Sequence, residues 1–329
     1  MVISFITKGV LAMERLKEYV EILDNVKNEV RKLVFGKDEV IDKVLMTIIG
    51  SGHVLIDDIP GVGKTTLANA FARALGLEQK RVQFTPDVLP SDVTGFSMYD
   101  KNDGEFRYKE GAVMCNLFLA DEINRTSPKT QSALLEVMEE GAVTVDGVRR
   151  KVPDPFIVMA TQNPVGSIGT QKLPESQLDR FMICTSMGYP SIEAEVRVIQ
   201  GKRFNLMETV NEVITREQLV EIRNAVKMVY IEESVCTYIA KLVDESRHND
   251  DVALGISPRG SVAIAGISKA CAFLNGRDYV TPDDVKSVLL ETMGHRLVLN
   301  ARAKVNKVTV NQVINDIISK VSVPALKIQ

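Results

Sequence analysis

The sequence has no tryptophan, only three histidines and no pair of closely spaced cysteines. Its four cysteines, Cys115, Cys184, Cys236 and Cys271, lie far apart in a chain of 329 residues. Structural zinc sites and disulfide frameworks use cysteines or histidines at short, regular spacings, so neither is expected here. Scattered cysteines of this kind are typical of the reducing cytoplasm, which is the predicted location.

Two further absences concern partners. Lys and Arg number 40 against 43 Asp and Glu, giving a net charge of −3 rather than a basic excess. Broad binding to nucleic acid usually needs such an excess, so a nucleic-acid partner is not expected. No apolar run approaches the ~20 residues that cross a bilayer, so membrane insertion is not expected either.

Apolar periodicity predicts an α/β fold in the first part of the chain. Short apolar runs alternate with helical stretches, which favours a parallel sheet covered by helices on both faces. Two turn-rich segments, 96–108 and 142–152, interrupt this alternation and predict β-hairpin inserts. The predicted sheet strands are 53–57, 81–85, 116–120 and 156–160.

Strand signals disappear from about residue 190. Helix caps at Thr215, Ser257 and Thr281 then predict a second, all-helical domain. The predicted divisions are a disordered or extraneous extension at 1–13, an α/β core at 14–190, a linker at 191–214 and a helical lid domain at 215–329.

The predicted strand 53–57 runs into residues 58–65, DIPGVGKT, and then into a helix. This is the strand–loop–helix setting of a phosphate-binding loop, in which backbone N–H groups and a helix N-terminus bind phosphate oxygens. Lys64 is predicted to reach the β- and γ-phosphates, and the Thr65 hydroxyl to ligate Mg²⁺. The pattern asks for glycine where Asp58 stands, so that carboxylate must point away from the phosphates. The predicted nucleotide-binding residues are Pro60, Gly61, Val62, Gly63, Lys64, Thr65 and Thr66.

A second motif ends the apolar run at 117–120 with two carboxylates, Asp121 and Glu122. Parallel sheets bind ligands at the carboxyl ends of their strands, so this pair is predicted to face the same edge as the phosphate loop. Asp121 would hold Mg²⁺, through water, and Glu122 would polarise the attacking water. A solvated acidic pair is the simpler alternative for these two residues taken alone.

Four segments together resemble the MoxR family of AAA+ ATPases, in the branch that carries helix-2 inserts and includes magnesium chelatase subunits. They are 87–95 DVLPSDVTG, 119–140 LADEINRTSPKTQSALLEVMEE, 173–181 LPESQLDRF and 257–259 SPR. The resemblance covers about residues 34–297, and the family also has the variant loop with aspartate at position 58. It implies a P-loop AAA+ domain with a parallel sheet flanked by helices, two β-hairpin inserts and a C-terminal helical lid.

The resemblance also implies roles for four residues outside the two motifs. Asn163 matches the sensor 1 position, Arg180 the arginine finger that reaches a neighbouring subunit, and Arg259 sensor 2, which would face the γ-phosphate. Gly36, in the segment 34–38, matches the loop that cradles adenine. The simpler alternatives are a turn-forming asparagine and arginines in surface ion pairs.

What the resemblance implies about function is Mg²⁺-dependent ATP hydrolysis by a homo-oligomeric ring of six subunits. Such a ring would remodel or assemble protein partners as a chaperone does, in some cases with a von Willebrand factor A domain protein. Two alternatives stay open: a nucleotide-dependent scaffold that does not hydrolyse ATP, and a DNA-directed motor. The second hairpin carries three basic residues, Arg149, Arg150 and Lys151. They would either contact a substrate or form an ordinary solvated strand face.

Overall fold

The computed structural model describes residues 2–102, 104–163, 170–200 and 209–325, without the side chains of 2–13 and 197–198. The helices of the first part are α1 (Val2–Arg31), α2 (Asp38–Ile49), α3 (Lys64–Ala74), α4 (Pro90–Thr94), α5 (Pro128–Glu140), α6 (Glu175–Leu178) and α7 (Ile192–Ile199). Those of the second part are α8 (Arg216–Lys227), α9 (Glu233–His248), α10 (Pro258–Leu274), α11 (Pro282–Met293), α12 (Ala301–Val305) and α13 (Val310–Lys320).

A parallel five-stranded sheet forms the centre of the first part. Its strands are β1 (Val54–Asp57), β2 (Gln79–Gln83), β5 (Leu117–Asp121), β8 (Ile157–Gln162) and β9 (Ile183–Thr185), in the order β2-β5-β8-β1-β9. Four of these are the predicted strands, shifted by one or two residues. The fifth, β9, is a three-residue edge strand that is too short to leave a periodic signal.

The order of the strands determines which loops meet. β8 lies between β1 and β5, so the residues that follow β8 lie between the phosphate loop after β1 and the acidic pair at the end of β5. All five strands run in the same direction, which places these three segments at one edge of the sheet.

Both faces of the sheet are buried along the apolar strands β5, β8, β1 and β9, as such strands predict, whereas edge strand β2 is polar and partly exposed. Leu117 and Leu119 pack into one core cluster, which α1, α2, α3 and the lid helices complete. Phe118 and Ala120 point the other way into a second cluster, with residues of α5 such as Leu134. The alternation along one strand therefore ties both layers of the domain together.

The two hairpin inserts form separate two-stranded sheets, β3 (Gly95–Asp100) with β4 (Glu105–Glu110) and β6 (Ala142–Val145) with β7 (Val148–Lys151). The second turns at Asp146 and Gly147, whose positive φ angles of 51° and 75° fit a tight hairpin turn. Arg150 lies over the Tyr108 ring at 4.1 Å from its centroid, and Arg149 pairs with Glu140. These two arginines thus contact their own chain.

The second part is helical from α8 onward, with the predicted capping boxes at Thr215 and Thr281 and the Ser257 cap all present. The expectation of purely helical structure needs one correction. A short antiparallel ribbon joins β10 (Val252–Leu254) to β11 (Val298–Leu299). Strands of two or three residues have no alternation that sequence reading can detect.

The boundaries of the predicted divisions remain predictions. Helix α1 begins at Val2, so the boundary predicted at residue 13 falls inside a helix. The predicted linker contains α7, and its residues 201–208 lie outside the described part of the chain. Within the described ranges, no helix combines the length and apolar character needed to cross a membrane.

Candidate functional site

The phosphate loop joins β1 to α3 through two residues with left-handed backbone. Gly61 and Gly63 have φ angles of 85° and 98°, which glycine adopts without steric cost. Lys64 follows at the start of α3 and is only 7% exposed. Its Nζ donates to the backbone oxygen of Asp58 at 2.5 Å and to Asn163 Oδ1 at 3.4 Å. The loop therefore curls around its own lysine, at the N-terminus of a helix.

Asp58 points away from the phosphate loop, as the departure from the glycine pattern required. Its Oδ2 accepts hydrogen bonds from the backbone N–H of Gly188 at 2.6 Å and from Ser186 Oγ at 2.9 Å, and its Oδ1 accepts from the Ile59 N–H at 2.7 Å. Burial alone would raise the pKa of Asp58, but these hydrogen bonds hold it below its usual value. The carboxylate thus fastens the loop to the segment that follows β9.

Replacing Asp58 by alanine is expected to destabilise the fold by roughly 3 kcal/mol at neutral pH, because buried N–H groups lose a charged acceptor. The folded-state pKa of Asp58 is depressed, so its contribution is present above the ordinary pKa and is lost as pH falls through the folded value. The difference between wild type and Asp58→Ala should therefore shrink in acid. Chemical denaturation at pH 7 and pH 3.5 measures it, with the exposed Asp250→Ala as control. A pH-independent difference would contradict the assignment.

Asp121, at the end of β5, is 9% exposed and both its oxygens accept hydrogen bonds. Oδ1 accepts from Thr161 Oγ1 at 2.6 Å, and Oδ2 accepts from Arg81 Nη2 at 2.6 Å. Thr161 lies on β8 and Arg81 on β2, the two strands that flank β5. The carboxylate is thereby held in a fixed orientation at the edge of the sheet.

Glu122 adopts a left-handed backbone (φ 56°, ψ 47°) that is uncommon outside glycine and is held by a hydrogen bond from its N–H to Thr161 Oγ1. Its Oε1 accepts from Asn163 Nδ2 at 3.0 Å and its Oε2 from Arg125 Nη1 at 2.8 Å. The hydrogen bond from Arg125 does most to lower the pKa of Glu122, burial acts in the opposite direction, and Asn163 adds to the lowering. Glu122 is therefore ionised at neutral pH.

Asn163 joins the two motifs. Its amide oxygen accepts from Lys64 of the phosphate loop, while its amide nitrogen donates to Glu122 of the acidic pair. Asn124 fixes the backbone of Asn163, since Asn124 Nδ2 donates to the Asn163 carbonyl oxygen at 3.0 Å. The structure thus brings Lys64, Asn163 and Glu122 into one hydrogen-bonded row, with Asp121 beside Glu122.

The predicted adenine loop lies next to the phosphate loop. Val34, Val62, Thr66 and Met187 line a cleft between residues 33–37 and the start of α3. Gly36, with φ 67°, lines an adjoining cleft that opens between α1 and α7. The mostly apolar wall beside a phosphate loop suits a flat aromatic base.

The two remaining predicted residues, Arg180 and Arg259, lie together and share one carboxylate. Arg180 Nε donates to Glu139 Oε2 at 3.0 Å, and Arg259 Nη2 donates to Glu139 Oε1. Arg259 stands in the first turn of α10, after the Ser257 cap, as predicted. Hereafter the two side chains are called the arginine pair.

The arginine pair lies at the opposite edge of the sheet from the phosphate loop. Arg180 precedes β9, and the Met182 N–H donates to the His53 carbonyl oxygen just ahead of β1. His53 Nε2 in turn contacts the carbonyl oxygen of Met138, next to Glu139. These contacts lie at the amino ends of β9 and β1, whereas Lys64 follows the carboxyl end of β1 and Glu122 follows that of the parallel strand β5. The structure therefore does not bring Arg259 to the phosphate loop of its own chain.

Comparison with known proteins identifies the family. Residues 53–183 match the model of the ATPase family associated with various cellular activities (AAA), and residues 244–317 match that of the AAA lid domain. The chain is 45% identical to YeaC of Bacillus subtilis over 92% of this chain and 95% of that protein. It is 36% identical to the chaperone MoxR1 of Mycobacterium tuberculosis, over 94% of this chain and 85% of MoxR1. The chain belongs to the MoxR family of AAA+ ATPases.

A solved structure of a protein from Cytophaga hutchinsonii supports the same fold along nearly the whole MoxR-family chain. The two share 37% identity and superpose with a TM-score of 0.89, covering 97% of this chain and 99% of that one. The predicted architecture is thus confirmed: a P-loop AAA+ domain with a parallel sheet, and a lid domain behind it.

Sequence reading of this MoxR-family chain missed the side chains that orient the site residues. Arg81, Arg125, Thr161 and Glu139 each bond a predicted residue, yet none forms a motif of its own. Arg125 alone carried a local signal, since it lies three residues after Glu122 on the 3₁₀ turn Ile123–Arg125. The others are joined to their partners only by the fold.

The residues present fit a Mg²⁺–nucleotide. Mg²⁺ prefers one or two protein oxygen ligands together with phosphate oxygens and water, and the Thr65 hydroxyl and Asp121 carboxylate offer such a pair. The described residues contain no cluster of three or more acidic, histidine or cysteine side chains that would hold a metal ion alone. At Gly61 a Cβ would meet nothing within 4 Å, so the loop has open space at that position.

Proposed function

We propose that this chain hydrolyses ATP with Mg²⁺ at the interfaces of a homo-oligomeric ring and uses the hydrolysis to remodel or assemble protein partners. The observation that carries the proposal is the row Lys64–Asn163–Glu122, in which a phosphate-binding cation and a carboxylate base are joined by one amide. A scaffold that only bound nucleotide would need the cation and not the ionised carboxylate.

Each residue of the row has a distinct task. The loop N–H groups and Lys64 bind and orient the phosphates, and Asn163, which bonds both Lys64 and Glu122, fixes the position of Glu122 relative to the loop. Glu122, kept ionised by Arg125, accepts the proton of the attacking water. Mg²⁺, when bound between Thr65 and Asp121, supplies positive charge that neutralises the phosphate oxygens.

The position of the arginine pair supports the ring. Four-residue strand β1 spans roughly 13 Å, and the pair lies beyond its amino end while the phosphate loop lies beyond its carboxyl end. A phosphate that meets the pair must then belong to a neighbouring copy. Such a head-to-tail contact repeats from subunit to subunit and closes into a ring, for which we propose six members.

The first hairpin supports action on proteins. Phe106, Met98 and Tyr99 are 75%, 55% and 52% exposed on the β3–β4 insert. Exposed aromatic and methionine side chains of this kind bind the apolar side chains of unfolded or partly assembled proteins. The relative MoxR1 is itself described as a chaperone.

Phosphate release from ATP tests the proposal directly. Release should require Mg²⁺, stop in excess EDTA and fall to background in Lys64→Ala, because that variant loses the cation that reaches the phosphates. Adding DNA should leave the rate unchanged. Tight ATP binding without release would instead establish the scaffold, and strong stimulation by DNA would establish the motor.

A further inference from the structure

A second cavity lies where the lid meets the core, and none of the residues proposed to hold nucleotide lines it. Its volume is about 320 Å³, at the lower end of the range for ligand pockets. The core side contributes Ser51, His53 and the end of α5, and the lid side contributes residues of α8.

Arg223 of α8 is the most unusual residue of this cavity. It is only 6% exposed, yet its Nε–H donates to Ser51 Oγ at 3.0 Å and its other N–H groups have no bonding partner among the described residues. Burial lowers the pKa of Arg223 to about 10, and Asp154 acts in the opposite direction. A guanidinium has five donors and remains charged, and the terminal N–H groups of Arg223 are not sealed inside the protein, so they are available to an anion that enters the cavity.

Three carboxylates line the cavity, but two of them are already paired, so Arg223 and Lys227 face one remaining carboxylate, Asp154. Among its carboxylates, Glu139 already pairs with Arg180 and Arg259, and Glu140 pairs with Arg149. Asp154 lies near Arg223 but outside ion-pair distance in the described structure. Lys227 stands one helical turn after Arg223 and also lines the cavity, as does the Asn224 amide between them.

We propose that this cavity binds the oxyanion of a small molecule, a carboxylate or a phosphate, with Arg223 as the main ligand. The planar guanidinium presents parallel N–H groups that match two oxygens of such an anion, and Lys227 and Asn224 add a charge and an amide donor. The site differs from the phosphate loop in its place, at the opposite edge of the sheet, and in using side chains rather than backbone N–H groups.

Thermal unfolding in the presence of inorganic phosphate or succinate, at constant ionic strength, tests this proposal. The apparent affinity follows from the rise in Tm with anion concentration, because a ligand that binds the native state stabilises it. Arg223→Gln should weaken binding of at least one anion by roughly tenfold or more, since it removes charge-assisted hydrogen bonds. Arg216→Gln, an exposed arginine on the same helix, should behave like wild type.

Any anion that binds at the phosphate loop affects wild type and both variants equally, so only the difference between them reports on the cavity. If Arg223→Gln does not fold, Asn224→Leu keeps the arginine but replaces the amide donor with apolar atoms, and it should also weaken anion binding. Loss of phosphate binding alone, or of succinate binding alone, supports the site and identifies the oxyanion. Equal affinities in wild type, Arg223→Gln and Asn224→Leu, or no binding to wild type, would overturn the proposal.

Discussion

Glu122→Gln is expected to bind ATP as wild type does and to release phosphate more slowly, by at least about 100-fold. The amide keeps the size of the side chain and its single oxygen can still accept from Arg125, but it cannot take a proton, and a positioned base is worth ~10² to 10⁴ in rate. Equilibrium binding of a fluorescent ATP analogue and single-turnover phosphate release separate the two steps.

Glu136→Gln provides the matched control, because Glu136 is an exposed glutamate on α5 that contacts none of the site residues in the described structure. Wild-type turnover in a folded Glu122→Gln chain would remove Glu122 from the mechanism. The same variant, held in its ATP-bound state, is also the form in which to isolate protein partners.

Arg180→Ala is expected to lose ~10³ or more in turnover while its own phosphate loop stays intact, because an arginine supplied from a neighbour stabilises the charge of the transferred phosphoryl group. Lys64→Ala should be inactive because it keeps the arginine but lacks the cation that reaches the phosphates. Mixing the two chains should restore up to roughly a quarter of wild-type activity, since a random ring then contains interfaces that pair an intact loop with an intact arginine.

Arg302→Ala, which removes an exposed arginine on α12, provides the control. Mixed with Lys64→Ala, it should give no more activity than wild type mixed with Lys64→Ala. Two results would contradict the shared site: no recovery on mixing, or a monomeric fraction of Arg180→Ala as active as the wild-type assembly. Arg259→Ala should follow Arg180→Ala, because the two side chains lie on the same carboxylate.

Sequence reading predicted those parts of the site whose functional residues are adjacent in the sequence. Residues 60–66 and the pair Asp121–Glu122 each follow an apolar strand, so local pattern and strand direction were enough to place them at one edge. Asn163 needed the resemblance as well, because an asparagine before proline is by itself an ordinary turn. Only the strand order, with β8 between β1 and β5, brings it to Lys64 and Glu122.

What sequence reading missed depends on contacts between distant residues. Glu139 meets Arg259 across 120 positions, and Arg223 meets Ser51 across 172, so no window of sequence contains either pair. Edge strand β9 and the β10–β11 ribbon were missed for a different reason, since pairing across the fold defines them and their own residues do not.

The aspartate that replaces a glycine in the phosphate loop has a mechanical consequence. Asp58 bonds Ser186 and Gly188 in the segment that follows β9. Lys37, in the loop before α2, bonds the same segment at the Tyr189 carbonyl oxygen. Any displacement of residues 186–189 must therefore move the phosphate loop as well, or break these bonds. The position of the phosphate loop and the position of residues 186–188 are therefore linked by one carboxylate, where a glycine would have no side chain to join them.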